Sequence, residues 1–295
     1  MHMSDLPLVT IGLPFFNPGK YIVLAVKSIF AQTYTNWELI IIDDGSSDGS
    51  YDIVKNIDDK RVIIYRDGKN KGLAARLNEI TEKARGEYIA RMDADDIMSP
   101  YRLEQQCRIL NSNQHVDAVT TGLVYLDKRG RVLGAKNGFS PSADEVFIRG
   151  GYLHASLLAR KKWFLKFPYN ENLRRAEDRD LFIRATLSGS NIFVLKEPLY
   201  MYRFIDNVRV SAWTQSYFEE VKIFLRYARE TNNYFLYFLA LRSLLKIVVL
   251  NGLSVFDGEQ LLTIKKMKNL DTINNELIEQ DLISVQRVFV PGLVV

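Results

Sequence analysis

The sequence predicts an α/β fold, a mostly parallel sheet with helices on both faces, carrying a helical extension at its C-terminal end. Three observations predict it. Through the first hundred residues short β-rich runs alternate with stretches of helical periodicity, the pattern that strand, helix and strand crossovers impose. The positions just after those runs, Pro14 to Asn17, Asp43 to Ser47, Asp67 to Gly72 and Met92 to Asp96, are where such sheets bind ligands, outside the carboxyl ends of their strands. From about Trp213 the periodicity is helical almost to the end.

Taken in order, strands are expected at Leu8–Leu13, Glu38–Ile42, Val62–Tyr65 and Tyr88–Arg91, with helices over Tyr21–Ala31, Ser50–Ile57 and Leu73–Ala84 between them. Asp48-Gly49-Ser50 supplies a capping turn before the second helix. Pro100–Asn111 reads as a helix, Ala118–Leu126 as one strand, and Asp127 to Gly130 as a hairpin turn before a strand at Val132–Ala135. A mixed region follows, with Ala143–Arg149, Leu153–Leu158 and a charged helix start at Ala176 to Leu181. Late strands are expected at Asn191–Leu195 and Leu199–Arg203, and helical breaks at Asn251-Gly252 and Asp257-Gly258. This divides the chain into a domain over residues 1–210 and a helical region over 211–295.

At 295 residues and 47% hydrophobic content the chain can build a substantial core. A net charge of +4 is too small an excess to imply nucleic acid binding. A single cysteine, Cys107, forms no intramolecular disulfide and rules out Cys-based metal sites. The start of the chain lacks a basic stretch followed by an apolar run, so no secretory signal is expected. Tyr234 to Phe256 is apolar, but Arg242 and Lys246 at its middle argue against a simple spanning helix.

The sharpest chemical signal is Arg91-Met-Asp-Ala-Asp-Asp96. Carboxylates so close at a strand end repel one another unless a cation is present, and a hard divalent ion, Mn²⁺ or Mg²⁺, would also bind a diphosphate. A solvated acidic turn is the plain alternative; the position after an apolar strand favours the metal. The second signal is Ile40 to Asp48, where a buried-looking strand delivers Asp43 and Asp44 into a Gly/Ser turn. A carboxylate there can accept hydrogen bonds from a uracil or thymine ring or from a ribose. The alternative is a turn that caps the next helix, the role expected of Asp48, whereas Asp44 is read as a nucleotide contact.

Val9 to Asn17, Ser28 to Tyr34, Trp37 to Ser46, Asn70-Lys-Gly72 with Asn78, and Gly86 to Asp96 together resemble the family 2 glycosyltransferases of the GT-A fold. The resemblance spans about residues 7 to 205. It implies that Pro14, Phe16, Asn17, Asp43, Asp44, Asn70 and Gly72 belong to the nucleotide-sugar site, with Asp93, Asp95 and Asp96 on the ribose, diphosphate and metal. Asp95 is the expected metal-associated carboxylate, with Asp96 as the other nominee. It further implies that Glu177-Asp178, opening a helix, supplies the base of an inverting transfer, a single in-line displacement in which Asp178 deprotonates the acceptor hydroxyl and Glu177 orients it or binds the acceptor. Helix N-terminal charge compensation is the bland reading of the same acids. His154 stands where relatives also carry a His, either on the acceptor or phosphate or as a hydrogen-bonded structural residue. The sequence departs from its relatives after Tyr202-Arg203, where a metal- or diphosphate-holding His is replaced by Phe204-Ile205-Asp206. Asp206, Arg203 or Arg209 substitutes for it, or metal dependence is altered.

Processive synthases of this family add several spanning helices and a Gln-x-x-Arg-Trp element. Neither is found here, so transfer of a single sugar is expected. The implied partners are a nucleotide-sugar donor, a UDP-sugar first and dTDP-rhamnose second, and a glycan or lipid-linked acceptor in bacterial surface polysaccharide assembly. Cations amid dense aromatic and aliphatic residues between Lys222 and Phe256 suit a helix at a membrane interface, a packing helix, or a homodimer contact. The expected location is the cytoplasm, at the inner face of the membrane. A sugar-nucleotide pyrophosphorylase should open with a Gly-rich loop where this chain has Leu13-Pro-Phe-Phe-Asn17. A carbohydrate-binding module would have no reason to keep Asp44, the acidic run and Glu177-Asp178 together.

Overall fold

The computed structural model describes residues 6–204, 210–254, 271 and 275–294. Its larger sheet is built on β1 (Val9–Phe15), β2 (Trp37–Asp43), β3 (Val62–Arg66) and β4 (Tyr88–Arg91), all parallel. β6 (Ala118–Thr120), β9 (Leu158–Arg160) and β10 (Ile192–Val194) complete it in the order β10-β6-β9-β4-β1-β2-β3, with β9 antiparallel to both neighbours. Every residue of β1 and β2 is buried because helices cover both faces. Leu39 and Ile41 enter one core with α1 (Ile22–Phe30), while Ile40 and Ile42 enter the other with α3 (Leu73–Lys83), as the two-residue period of a strand requires. Gly12 lets α3 approach, since a Cβ there would lie 2.7 Å from Ile80 Cγ2. α2 (Ser50–Val54) connects β2 to β3, and α4 (Arg102–Ser112) leads into β6.

A smaller sheet, ordered β5-β11-β7-β8, consists of β5 (Ile97–Met98), β7 (Leu123–Leu126), β8 (Val132–Lys136) and β11 (Tyr200–Arg203). The single strand expected over Ala118–Leu126 is therefore two strands in different sheets. The chain changes sheets at Gly122, where a Cβ would meet Gly138 N and Lys136 O, both at 2.6 Å. The hairpin at 127–130 forms as expected: Asp127 Oδ1 accepts the N–H groups of Arg129 and Arg131 at 2.8 and 2.9 Å, and Gly130 takes φ 82°. β5, β9 and the short α6 (Lys161–Lys166) are found where the sequence reading had no element of those bounds.

α5 (Ala143–Arg149) and α7 (Glu177–Leu187) pack with the C-terminal hairpin of α8 (Val210–Thr231) and α9 (Tyr234–Ser254) in one core that joins Phe147, Leu173 and Ile183 to Phe224, Tyr227, Leu236 and Leu239. α9 runs through Asn251-Gly252, where a break was expected; Asp257-Gly258 lie outside the described residues. α10 (Asn275–Arg287) closes the smaller sheet with Ile278, Leu282 and Val285. The expected boundary at residue 210 falls at the start of α8, a helix whose buried face is shared with α5 and α7.

Candidate functional site

The carboxyl ends of β1 and β4 open into a cleft of about 270 Å³ lined by Pro14, Phe16, Asn17, Tyr21, Leu73, Arg91, Asp93 and Asp95, among others. The loops after β1 and β2 are tied to each other on one side of it. Asn17, at φ 52°, donates its N–H to Ser46 Oγ at 3.0 Å, and its Oδ1 accepts from Ser47 N at 2.8 Å. Asp48 closes a turn ahead of α2, accepting from Ser50 N at 3.0 Å, while the N-cap position expected of it is held by Gly49 at φ 82°; its Oδ2 reaches back to accept from Gly19 N at 2.6 Å. Phe16 stands on the lip with 54% of its surface exposed, an apolar ring available for stacking.

Asp43 ends β2 and Asp44 follows it, but neither lines the cleft. Asp43 is fully buried, accepts from Ser46 N at 2.8 Å and pairs with Arg66 Nε at 3.0 Å. Asp44 accepts from Lys71 N at 2.7 Å, Gly72 N at 3.0 Å and Arg76 Nε at 2.8 Å. It thereby holds the loop that carries Asn70 and Gly72 against the sheet, with most of its acceptor capacity engaged inside the protein. Gly72, at φ 90°, leaves room for the Arg174 guanidinium, whose Nη1 donates to Lys71 O at 3.2 Å. Asn70 is exposed on that loop. Arg76 is 1% exposed, so Asp44→Ala would remove one of the three carboxylates around a buried cation and leave its Nε without the 2.8 Å partner it has now. We expect a loss of roughly 3 kcal/mol in folding free energy, the low end for breaking a buried pair, read as a lower urea midpoint at unchanged m. An unchanged midpoint would contradict the anchoring role.

The acidic run lies between two arginines. Arg91, 6% exposed, donates from Nη2 to Asp93 Oδ1 at 2.8 Å. Arg203, behind the run, donates from its backbone N to Asp96 Oδ1 at 2.7 Å and from Nε to Asp95 O at 2.9 Å, and its guanidinium lies over the Tyr21 ring. Arg203 is thus engaged with the loop's backbone; Ile205, Asp206 and Arg209 lie outside the described residues. Asp93 and Asp95 line the cleft, whereas Asp96, 1% exposed, does not. Burial first, then the adjacent Asp93, pushes the Asp95 carboxyl up to about 6. Burial and the charges of Asp95 and Asp93 hold Asp96 well above the usual carboxylate range.

Among the described residues no three His, Cys, Asp or Glu side chains form a closed metal cage. Asp93 and Asp95 nevertheless fit a divalent ion, because Mg²⁺ is commonly held by one or two carboxylates together with substrate phosphates.

Glu177 and Asp178 open α7. The turn before them is held by a residue far along the chain: Glu219 on α8 accepts the N–H groups of Arg175 and Ala176 at 2.9 and 3.0 Å. Burial, then Asp178, pushes the Glu177 carboxyl up to about 6, and its buried Oε2 has no hydrogen-bond partner. Asp178 is raised mainly by burial and accepts Arg179 N at 2.7 Å. The Arg91 charge acts on Glu177, Asp178, Asp93, Asp95 and His154 alike, so one buried guanidinium stands among both acidic groups and the histidine. His154 is buried, held well below its ordinary value by burial and Arg91, and shares a 2.8 Å hydrogen bond with Tyr169 Oη while meeting the edge of Phe182. It does not line the cleft, and its contacts are those of a structural histidine.

The sequence reading thus missed Arg76, Arg174 and Glu219, whose partners are distant in sequence. Arg91 carried one signal, a cation immediately before an acidic run at a strand end.

The sequence profile of Glycosyl transferase family 2 matches residues 10–177. The putative glycosyltransferase EpsE of Bacillus subtilis is 34% identical over 210 residues, covering 68% of this chain and 74% of its own length. S. aureus TarS 1–349, solved in complex with UDP-GlcNAc, superposes with a TM-score of 0.61 at 19% identity, over 75% of this chain and 66% of that chain, so this chain spans about two thirds of it. The mannosyltransferase PcManGT from Pyrobaculum calidifontis, solved with GDP-Man and Mn²⁺, gives a TM-score of 0.61 at 15% identity, over 96% of this chain and 87% of that one. The two superpositions show the GT-A fold.

Proposed function

We propose, for a chain that belongs to glycosyl transferase family 2, an inverting transfer of one sugar from a nucleoside diphosphate donor to a hydroxyl of a glycan or lipid-linked acceptor. The observation that carries this reading is the cleft of Pro14, Phe16, Asn17, Asp93 and Asp95, whose lining Arg91 is bonded to Asp93 and acts by its charge on Glu177 and Asp178.

Phe16 and Pro14 offer the nucleoside an apolar surface, and Asp93 faces the ribose and diphosphate. Asp95, with Asp93, would hold a divalent ion, Mn²⁺ or Mg²⁺, which as a Lewis acid stabilises charge developing on the leaving diphosphate. The Mn²⁺ of PcManGT supports that assignment. Asp178 takes the proton of the acceptor hydroxyl as its oxygen bonds to the anomeric carbon and the bond from that carbon to the diphosphate breaks. Burial raises Asp178 and so makes it a stronger base than a free carboxylate. Glu177, with one buried oxygen unpartnered, binds or orients the acceptor. Arg91 holds Asp93 by its 2.8 Å hydrogen bond and moderates the rise in Glu177 and Asp178.

The donor is read as a UDP-sugar, with dTDP-rhamnose second. The structural neighbours bind UDP-GlcNAc in one case and GDP-Man in the other, so the nucleotide is decided by direct assay. Incubating the protein with UDP-, dTDP- and GDP-sugars and Mn²⁺ is expected to release nucleoside diphosphate from one class. Release from none would remove the reading.

The outward face of α9 supports work at a lipid surface, the setting of surface polysaccharide assembly. Arg242 and Lys246 do share a face, but it is the inner one: Arg242 donates to Ile148 O at 2.8 Å and Lys246 lies over the Tyr217 ring. The outer face is a row of large apolar side chains, Tyr234, Tyr237, Phe238, Leu241, Leu244, Leu245, Val248 and Val249, all exposed. Tyr234–Asn251 is long and apolar enough to cross a membrane, with a mean hydropathy of 1.5. Leu236, Leu239 and Ala240 nevertheless bind it to the core of α5, α7 and α8, so the reading is a helix lying on the bilayer. The protein is expected to sediment with phosphatidylcholine/phosphatidylglycerol vesicles and to lose at least tenfold of that binding on Leu241→Glu with Val248→Glu. Equal sedimentation of the two, or a dimer in light scattering that the double substitution splits, would assign the face to something other than lipid.

A further inference from the structure

A second cavity, of about 390 Å³, lies where the chain passes from the larger sheet to the smaller one, walled by Thr120, Tyr125, Lys136, Phe139, Arg149 and Tyr152, among others. Its chemistry is the reverse of the donor cleft's. Among the described residues no carboxylate lines it, although Asp271 accepts the N–H of the lining Asn137 at 2.7 Å from outside, and it holds two cations, Lys136 and Arg149, neither in an ion pair with a carboxylate among those residues. Thr120 is fully buried and its hydroxyl has no hydrogen-bond partner, which is costly unless a ligand or water completes it. Burial alone raises the hydroxyls of Tyr125 and Tyr152. Phe139 stands at the cavity with 61% of its surface exposed.

The cavity adjoins both halves of the catalytic site. The Tyr125 ring meets Tyr202 edge to face at 6.3 Å, and the charges of Asp93, Asp95 and Asp96 act on Tyr202. On the other side Tyr152 packs against Phe182, 5.0 Å away, in the helix that Glu177 and Asp178 open.

We propose that this cavity is the acceptor subsite and that it selects an anionic sugar, holding the sugar ring against Tyr125, Tyr152 and Phe139 and its phosphate or carboxylate between Lys136 and Arg149. The inference rests on the transferase reading above and names the acceptor class for it. Aromatic walls with a few convergent polar groups are the usual make-up of small-molecule sites, and charge-assisted bonds to phosphate or carboxylate are the strong ones. The Thr120 hydroxyl, otherwise unpartnered, takes a sugar hydroxyl.

The test is calorimetric titration of the full chain with glucose 1-phosphate, glucuronic acid and glucose, each at saturating UDP and Mn²⁺, for the natural sequence, for Lys136→Ala with Arg149→Ala, and for Thr120→Val. At least one anionic sugar is expected to bind ten or more times more tightly than glucose, and the two arms tell phosphate from carboxylate. The double variant is expected to lose at least tenfold in that affinity while binding UDP as before, and Thr120→Val to weaken all three sugars by a smaller factor. Equal affinity for glucose and the anions, no binding of either anion, or an unchanged affinity in the double variant would overturn the subsite. If UDP does not bind, dTDP or GDP takes its place in the titration; failure of all three to bind the natural protein would instead strike the transferase reading, and the same comparison of variants would still report on the cavity.

Discussion

Asp178→Asn is expected to lower the rate of sugar transfer by about 10²–10⁴-fold, the usual contribution of a positioned general base, while leaving nucleoside diphosphate affinity within about twofold. Asn keeps the size and the hydrogen bond to Arg179 N but cannot accept the acceptor's proton. The proposed base is also expected to make the reaction fall off in acid. A base must be deprotonated to act, and burial raises Asp178 above an ordinary carboxylate, so its loss begins at higher pH than it would for an exposed one. Glu177, pushed up to about 6, titrates in the same window. The pH dependence of kcat/KM should therefore show an acid limb near pH 6 that belongs to the two neighbouring acids of α7 jointly. Transfer by Asp178→Asn at the natural rate, or a profile flat down to about pH 4.5, would take the base away from α7.

Asp95→Ala is expected to cost about 10²–10³-fold in transfer, corresponding to several kcal/mol of stabilisation lost at the leaving diphosphate, and to blunt the response to added Mn²⁺. Asp95 is the nominee because it lines the cleft, whereas Asp96 is buried behind it on Arg203 N. Asp96→Ala should instead break the join between the acidic run and β11, lowering stability more than it changes metal dependence. The reverse ranking, with Asp96→Ala abolishing the Mn²⁺ response and Asp95→Ala sparing it, would exchange the two roles.

Most of the sheet was legible in the sequence. β1, β2 and β4 are apolar runs buried on both faces, and their loops carry acids, Asn and Gly at the carboxyl ends, so the strands and the candidate cleft beside them share one stretch of sequence. The division of residues 118–126 between two sheets was not legible, because Gly122 is required by the backbone of residues 136–138 and not by its own neighbours. Asp44 shows the same limit in the site. Its type and place fit a nucleotide contact, but three donors from residues 71, 72 and 76 reach its carboxylate first. The start of α7 is held by Glu219, more than forty residues away, and no local pattern signals such a contact. The spacing of Arg242 and Lys246 correctly put them on one face of α9; that this face turns inward depends on Ile148 O and the Tyr217 ring.

The central claim is that the cleft at the ends of β1 and β4 binds a nucleoside diphosphate with a divalent ion. Isothermal titration of the protein with UDP, dTDP and GDP, each with and without Mn²⁺, tests it most directly. The account predicts that one nucleotide binds, that Mn²⁺ tightens it at least tenfold, and that Asp95→Ala removes the tightening. No binding by any of the three would contradict the account, and tight binding indifferent to both Mn²⁺ and Asp95 would contradict its metal.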